Sequence, residues 1–257
     1  MRIHIGIFAL LWFLSPVMAD EVDADACGDD GTLQPEFVIG EGDEPHRLRV
    51  CYNWGCSEHG FLSLDQEDTK PLDRLFHNPD CGAGSAGLEL QMIRVAIKYL
   101  EIKAGEQLPI GNDLSGNHRD RDIDGRADCV DNATNTSNYL HFLSDRGYLK
   151  YWRSPRERPI VKACVLCPGV PSHYSAALSL EGQGETRYVV DSWLLDNGAL
   201  PFVGPIEPWR KRFLFQDKHR LNPYISAKDI RRFCKGEPAF DERLQDAVDN
   251  LPGLEPL

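Results

Sequence analysis

The sequence predicts a single domain of the α+β class, with helices before an antiparallel sheet. Two helical patterns come first, one over Leu88–Ile102 and one that starts near Cys129. Three runs typical of strands follow at Ile160–Leu166, His173–Leu180 and Arg187–Leu195. The chain has 257 residues, which is enough for one domain with a sizeable core and short for two.

Turn residues and apolar spacing place the remaining elements. Short apolar runs at Arg47–Trp54 and Phe61–Leu64 flank a polar turn, which predicts a hairpin. Gly147 provides a stop for the second helix, and Gly182–Gly184 provides a turn between the last two predicted strands. Short helices are predicted near Pro208–Phe213, Ala227–Phe233 and Asp241–Leu251.

The first helix is predicted to be amphipathic. Apolar residues recur at steps of three and four through Leu88–Ile102, which predicts one face against the core. Charged residues fall between them and predict a polar face on the other side. These charged residues are Glu89, Arg94, Lys98 and Glu101.

The N-terminal region has the features of an export signal. Residues 1–19 combine Arg2, the short apolar core Ile5–Leu14 and small residues at the cleavage positions, which predicts a secretory signal peptide. Residues 20–45 are acidic and rich in Gly and Asp, which predicts a flexible arm. The folded domain is therefore expected to occupy 46–257, in a protein that is periplasmic or secreted.

Charge and hydropathy exclude two classes of partner. The sequence has 28 Lys and Arg residues against 40 Asp and Glu residues, for a net charge of −12. Such an acidic surface repels phosphate backbones, so nucleic acid is not an expected partner. No apolar stretch reaches the roughly 18 residues of a membrane span. We expect a monomer.

Cysteine content predicts disulfide bonds. Eight cysteines in an exported chain can form four bridges, in about 100 different pairings. If one thiol is kept for chemistry, seven remain and one of them has no partner. Cys164 and Cys167 also form a CxxC pair, for which redox activity is the alternative function. The cysteines are Cys27, Cys51, Cys56, Cys81, Cys129, Cys164, Cys167 and Cys234.

One cysteine stands where a nucleophile would be favoured. Cys129 begins the second helix, and the unpaired N–H groups of a helix start stabilise a thiolate. His173 opens one predicted strand and Asp191 lies within the next, so Asp191 could orient His173 while His173 accepts the thiol proton. The alternative is a disulfide cysteine beside a core histidine.

Three segments resemble the transglutaminase-like superfamily of cysteine enzymes. They are Asp128–Asp131, Pro171–Ala176 and Arg187–Trp193, in the order Cys, His, Asp. More narrowly, Asp128–Leu140 and Cys51–Cys56 resemble a group of uncharacterised exported bacterial proteins. The chain is also similar to bacterial transglutaminase-like cysteine proteinases, some of which are calcium-dependent periplasmic proteases.

The resemblance implies a fold and a function. The fold would be papain/transglutaminase-like, with a nucleophile helix packed on an antiparallel sheet. Cys129 would be the nucleophile, His173 the general base and acid, and Asp191 the residue that orients His173. The expected function is thiol-dependent amide hydrolysis or acyl transfer on a protein or peptide substrate, such as one in the cell envelope. Asn132 stands where a Glu is expected, and its role is left open.

A second function class stays open beside the enzyme. The same fold could serve as a non-catalytic binding or structural module, stabilised by calcium and disulfides, with Cys129 bridged.

An acidic loop before Cys129 predicts a calcium site. Its residues match an EF-hand-type loop in which oxygen ligands alternate and Gly125 permits a sharp bend. The alternative is an acidic solvated loop. Bound Ca²⁺ would cancel negative charge around Cys129, so calcium is expected to raise its reactivity. The predicted ligands are Asp120, Asp122, Asp124, the Arg126 carbonyl, Asp128 and Asp131.

Overall fold

A computed structural model describes residues 36–117, 120–163, 172–182, 187–212, 222–237 and 242–251. The predicted signal peptide 1–19 and the Cys164–Cys167 pair lie outside these ranges, as do Cys27 and most of the predicted Gly182–Gly184 turn.

Within the described ranges the chain forms eight strands and six α-helices. The strands are β1 (Phe37–Val38), β2 (His46–Tyr52), β3 (Glu58–Leu64), β4 (Trp152–Arg153), β5 (Ile160–Ala163), β6 (His173–Leu180), β7 (Arg187–Asp191) and β8 (Phe202–Pro205). The helices are α1 (Gln66–Phe76), α2 (Ala86–Gln107), α3 (Cys129–Asp145), α4 (Ile206–Arg212), α5 (Ala227–Cys234) and α6 (Glu242–Asp249).

The strands form two antiparallel sheets. One has the order β1-β2-β3. In the other, β4 and β5 pair with different ends of β6, which is followed by β7 and β8. Helices combined with antiparallel sheets confirm the predicted α+β class.

The predicted N-terminal hairpin is present and has an additional strand. β2 and β3 pair antiparallel, with Cys51 opposite His59. Phe37 and Val38 pair with β2 on its other edge, so the C-terminal end of the segment predicted as an arm belongs to the sheet.

Helix α3 is enclosed by protein over most of its length. Every residue from Val130 to Leu143 is buried, and the helix packs against β6 of one sheet and β2 of the other. Beyond the end of β1, the Asn135 side chain bonds both the N–H and the C=O of Cys51. Asn138 donates to the carbonyl of Arg49 on the same strand. Polar residues of the helix therefore satisfy backbone groups of β2 that have no strand partner.

The predicted polar face of α2 is largely buried, which corrects the amphipathic prediction. Glu89, Arg94 and Glu101 are 5%, 2% and 6% exposed. Each is satisfied internally: Glu89 accepts three N–H groups from Lys150–Trp152, Arg94 donates to backbone carbonyls, and Glu101 accepts a backbone N–H. Other helices and strands surround α2, and buried charges persist where they find such partners.

Two apolar clusters make up the core. The larger one joins both sheets to the helices. The smaller one lies between the five-stranded sheet and α4, and Cys129 packs against it. In the described part of the chain, no helix is both long and apolar enough to cross a membrane. The smaller cluster contains Val161, Ala163, Ala177, Val189, Trp193, Leu194, Phe202, Ile206 and Trp209.

Candidate active site

Cys129 is the first residue of α3, as the sequence predicts. The side chain of Asp128 caps the helix by accepting the N–H groups of Val130 and Asp131. Asp131 accepts the N–H of Asp128 in return, which completes a capping box. Asp128 and Val130 are buried, whereas Cys129 is partly exposed.

The described part of the chain contains five cysteines, of which four form disulfides. Cys51 bonds Cys56, and Cys81 bonds Cys234. Cys129 is a free thiol. It is therefore chemically available, unlike the disulfide cysteine of the alternative interpretation.

Strand register brings His173 and Asp191 together. Ala177 pairs with Val189, and continuing that register places Asp191 diagonally beside His173 on one face of the sheet. Nε2 of His173 lies 2.7 Å from Oδ2 of Asp191. The two side chains are 2% and 1% exposed, so the pair is shielded from water.

The hydrogen bond to Asp191 defines the chemistry of the imidazole. A carboxylate accepts hydrogen bonds, so Nε2 of His173 carries the proton, and its N–H donates a hydrogen bond to Asp191. In neutral His173, Nδ1 is then the nitrogen with the basic lone pair. Asp191 thus selects the tautomer in which Nδ1 can accept a proton.

Two tryptophans surround the His173 ring. The ring centroid of Trp193 lies 4.7 Å from that of His173, and the centroid of Trp209 lies 5.6 Å away. Trp209 also donates its indole N–H to Oδ2 of Asp191, at 2.8 Å. The sequence suggests these residues only as core or site-wall aromatics, because no local pattern reveals that α4 carries an indole to Asp191.

The thiol lies next to this pair. The backbone N–H of Tyr174, the residue after His173, donates to the Cys129 sulfur and lowers the thiol pKa. Burial, and after it the charge of Asp128, act more strongly and raise the pKa of Cys129 to about 12; the charge of Asp191 adds to the increase. The Cys129 sulfur therefore lies at the backbone of the residue that follows His173, and the raised pKa keeps it in the thiol form at neutral pH.

A disulfide-closed loop holds the carboxylates on either side of Cys129. Asn53, Trp54, Gly55 and Cys56 all have positive φ, between 56° and 65°, so successive N–H groups converge on one side. Trp54 and Cys56 donate to the carboxylate of Asp131, and Gly55 donates to Asp128. Burial raises the pKa of both carboxyl groups, and their mutual repulsion raises it further for Asp131.

The predicted calcium ligands are not grouped around one point in the structure. Asp120 pairs with the Arg126 side chain, and the Arg126 carbonyl accepts the N–H of Asn53. Asp124 accepts the Asn53 amide, and Asp122 is exposed. Asp128 and Asp131 already accept backbone N–H groups, as described above. Among the described residues no three His, Cys, Asp or Glu side chains are grouped to hold a metal ion. The sharp bend at Gly125 is present, with φ of 81°.

Calcium binding by this loop therefore stays a sequence-based prediction, which a titration tests. Ca²⁺ is added to chelator-treated protein while iodoacetamide alkylation of Cys129 is followed at fixed pH. The charge argument predicts faster alkylation and a higher melting temperature, with both effects weakened by Asp122→Ala. Alkylation that stays constant across the titration would show that the loop charge and the thiol are not coupled through calcium.

The Trp209–Asp191 hydrogen bond has a measurable energetic consequence. Trp209→Phe keeps an aromatic ring but removes the donor to a buried carboxylate, which is expected to cost about 1.5–3 kcal/mol in free energy of unfolding. The matched control is Trp193→Phe, since the Trp193 indole donates to the neutral side chain of Asn117 at 3.0 Å. Its hydrogen bond should contribute about 0.5–1.5 kcal/mol. Urea unfolding of both variants measures the difference, and equal losses would contradict the assignment.

Comparison of the chain with protein-family models, with curated proteins and with solved structures finds no match.

Proposed function

We propose that this protein is an exported thiol-dependent amide hydrolase with a Cys129–His173–Asp191 triad. One observation carries the proposal: a buried 2.7 Å hydrogen bond between His173 and Asp191 lies beside a free thiol at a helix start. Nucleophilic catalysis requires a nucleophile, a base that accepts its proton and a group that orients the base. Cys129 is partly exposed to solvent beside the His173–Asp191 pair. This arrangement favours a catalytic site over a purely structural cluster.

In the first step the Cys129 sulfur attacks the carbonyl carbon of an amide. The S–C bond forms as the thiol proton passes to Nδ1 of His173, and the carbonyl oxygen becomes an oxyanion. A raised thiol pKa makes this general-base role of His173 necessary, because thiolate is scarce at neutral pH before substrate binds. Asp191 stabilises the imidazolium that forms.

In the second step the tetrahedral intermediate collapses. The C–N bond breaks, and His173 returns its proton to the leaving nitrogen, which departs as an amine. Water then attacks the acyl-enzyme, passes a proton to His173 and releases the acid, after which the proton returns to sulfur. An amine in place of water would give acyl transfer; water is the expected acceptor because it is present at far higher concentration.

The oxyanion donor is assigned to the start of α3. Asp128 takes the N–H groups of Val130 and Asp131, so these are occupied in capping. The Cys129 N–H interacts with its own sulfur and is the donor that we assign to the oxyanion. A donor of this kind acts on charge that develops only in the transition state.

The proposed fold family is papain/transglutaminase-like. Support comes from the nucleophile helix, which packs against an antiparallel sheet whose neighbouring strands carry His173 and Asp191. The motif order along the chain agrees with the transglutaminase-like superfamily. Export is proposed from residues 1–19, and disulfides Cys51–Cys56 and Cys81–Cys234 are of the kind that persist in oxidising compartments.

A non-catalytic module of the same fold is the second candidate. The raised pKa of Cys129 favours it, since a thiol that resists ionisation is slow to react by itself. Cys129 is a free thiol, which argues against a non-catalytic module in which Cys129 forms a disulfide. Reaction with an amide-like electrophile separates the two.

The test is labelling by a peptide whose scissile amide is replaced by an electrophilic carbonyl. Wild-type protein should be labelled once, at Cys129, as located by mass spectrometry. Cys129→Ala should abolish labelling, and His173→Ala should slow it at least tenfold because the thiol loses its proton acceptor. Thr134→Val is the control, since among the described residues its hydroxyl bonds only the carbonyl of Val130 within α3.

Two results would overturn the enzyme proposal. One is labelling that survives both Cys129→Ala and His173→Ala. The other is folded wild-type protein that stays unlabelled, which would favour the non-catalytic module.

A further inference from the structure

A buried cluster of polar side chains joins the end of β7 to α3. Ser192 directly follows Asp191, and its Oγ lies 2.9 Å from Oγ1 of Thr136 and 3.4 Å from Oδ1 of Asn132. Thr136 and Asn132 are on α3, whose first residue is Cys129. All three members of the cluster are at most 8% exposed.

The cluster extends to the segment that precedes the thiol. The Asn132 amide donates to Oδ2 of Asp113 at 3.0 Å and to the Asp128 carbonyl at 3.2 Å. Oδ1 of Asp113 accepts the N–H of Ala127 at 2.9 Å. Asn132 therefore holds both the start of α3 and the residues that lead into it. This gives a role to the position at which the resemblance predicts Glu.

A third element, α2, also contributes a side chain to the cluster. The Glu101 side chain of α2 bonds the Ser192 hydroxyl and accepts the N–H of Gly198 at 3.0 Å. Burial raises the pKa of Glu101 to about 8, and the hydrogen bonds that it accepts from the Gly198 N–H and the Ser192 hydroxyl act in the opposite direction.

We infer that Ser192 is a positioning residue for the triad, through its hydrogen bonds to Thr136 and Asn132. The inference rests on the proposed function. Asp191 and Cys129 belong to different elements, and Ser192 joins those elements by side-chain bonds one residue away from Asp191. Proton transfer between sulfur and imidazole depends on their separation to within a fraction of an ångström, so a bond that fixes α3 against β7 controls the rate.

The experiment removes, one at a time, the two hydroxyl groups of the Ser192–Thr136 hydrogen bond. Ser192→Ala and Thr136→Val should each lower kcat for peptide hydrolysis about tenfold, with KM within about twofold of wild type, because the substrate contacts are unchanged. The double variant should be no slower than the worse single one, since both changes break the same bond. Thr136→Ser restores the hydroxyl and should recover kcat. Thr134→Val, on the same buried helix, is the matched control.

An NMR signal from the site gives a second readout, which does not depend on turnover. The proton between His173 and Asp191 should give a downfield NMR signal that His173→Ala removes. Ser192→Ala should shift or broaden it, while Thr134→Val leaves it unchanged. If kcat and the signal in Ser192→Ala and Thr136→Val match those of Thr134→Val, the positioning role is wrong. If Cys129→Ala retains full turnover, the proposed function is wrong, and the NMR signal alone then decides on positioning.

Discussion

Asp191→Ala is expected to lower kcat by about 100- to 1000-fold, the largest effect of a substitution that leaves the nucleophile and base in place. Oδ2 of Asp191 accepts two hydrogen bonds, from Nε2 of His173 and from Nε1 of Trp209. Without it the imidazole is free to adopt the other tautomer and two buried donors lose their acceptor. Steady-state kinetics with a peptide substrate measures the change.

Asp191→Asn separates orientation from charge. A single amide oxygen at the position of Oδ2 can accept both existing hydrogen bonds, so the tautomer of His173 is kept. Oδ1 of Asp191 has no partner among the described residues, and the amide nitrogen there would be buried without an acceptor. We expect a loss in kcat smaller than that of Asp191→Ala. Equal losses would show that the charge dominates, and wild-type kcat in Asp191→Ala would refute the orienting role.

Removing the Cys51–Cys56 disulfide is expected to affect activity more than stability. Its short ring contributes only about 2 kcal/mol of chain entropy. The ring also holds Trp54 and Cys56 at positive φ, which non-glycine residues adopt at a cost. When this loop relaxes, Asp131 loses the N–H donors of Trp54 and Cys56, and the start of α3 loses their support. A Cys51→Ser/Cys56→Ser variant should lose at least tenfold in kcat, measured well below its melting temperature.

The second disulfide is the control. Cys81 and Cys234 are 153 residues apart in sequence, so their bond should contribute about 5 kcal/mol of chain entropy. It joins the segment before α2 to α5. The Cys81→Ser/Cys234→Ser variant should therefore lose more free energy of unfolding but less kcat, in assays at a temperature where it stays folded. If the two variants rank in the same order for stability and for kcat, the loop has no special role at the site.

Local signals predicted much of the secondary structure and the site. An Asp before an apolar helical pattern, with a second Asp three residues after it, is a capping box, so α3 starts at Cys129 as expected. Runs typical of strands at His173–Leu180 and Arg187–Leu195 predicted β6 and β7, which pair antiparallel. These features depend on contacts between residues close in the chain.

Burial was the main source of error. The sequence of α2 predicts a polar face, yet Glu89, Arg94 and Glu101 are buried and satisfied by residues far along the chain. Strand β8 was not predicted, because it is short and depends on its neighbours. Helix α1 was not predicted either, and it contains Pro71, a residue typical of a helix break.

The sequence by itself determined that Cys129 begins a helix, that His173 and Asp191 lie on successive strands, and that cysteines are numerous enough for disulfides. Each of these follows from local propensity or composition. Only the tertiary structure decided that Tyr174 touches the thiol, that Trp209 bonds Asp191 and that Ser192 joins β7 to α3. Such contacts arise when distant segments pack together, and the free energy that selects them comes from burial of the whole core, which no local pattern encodes.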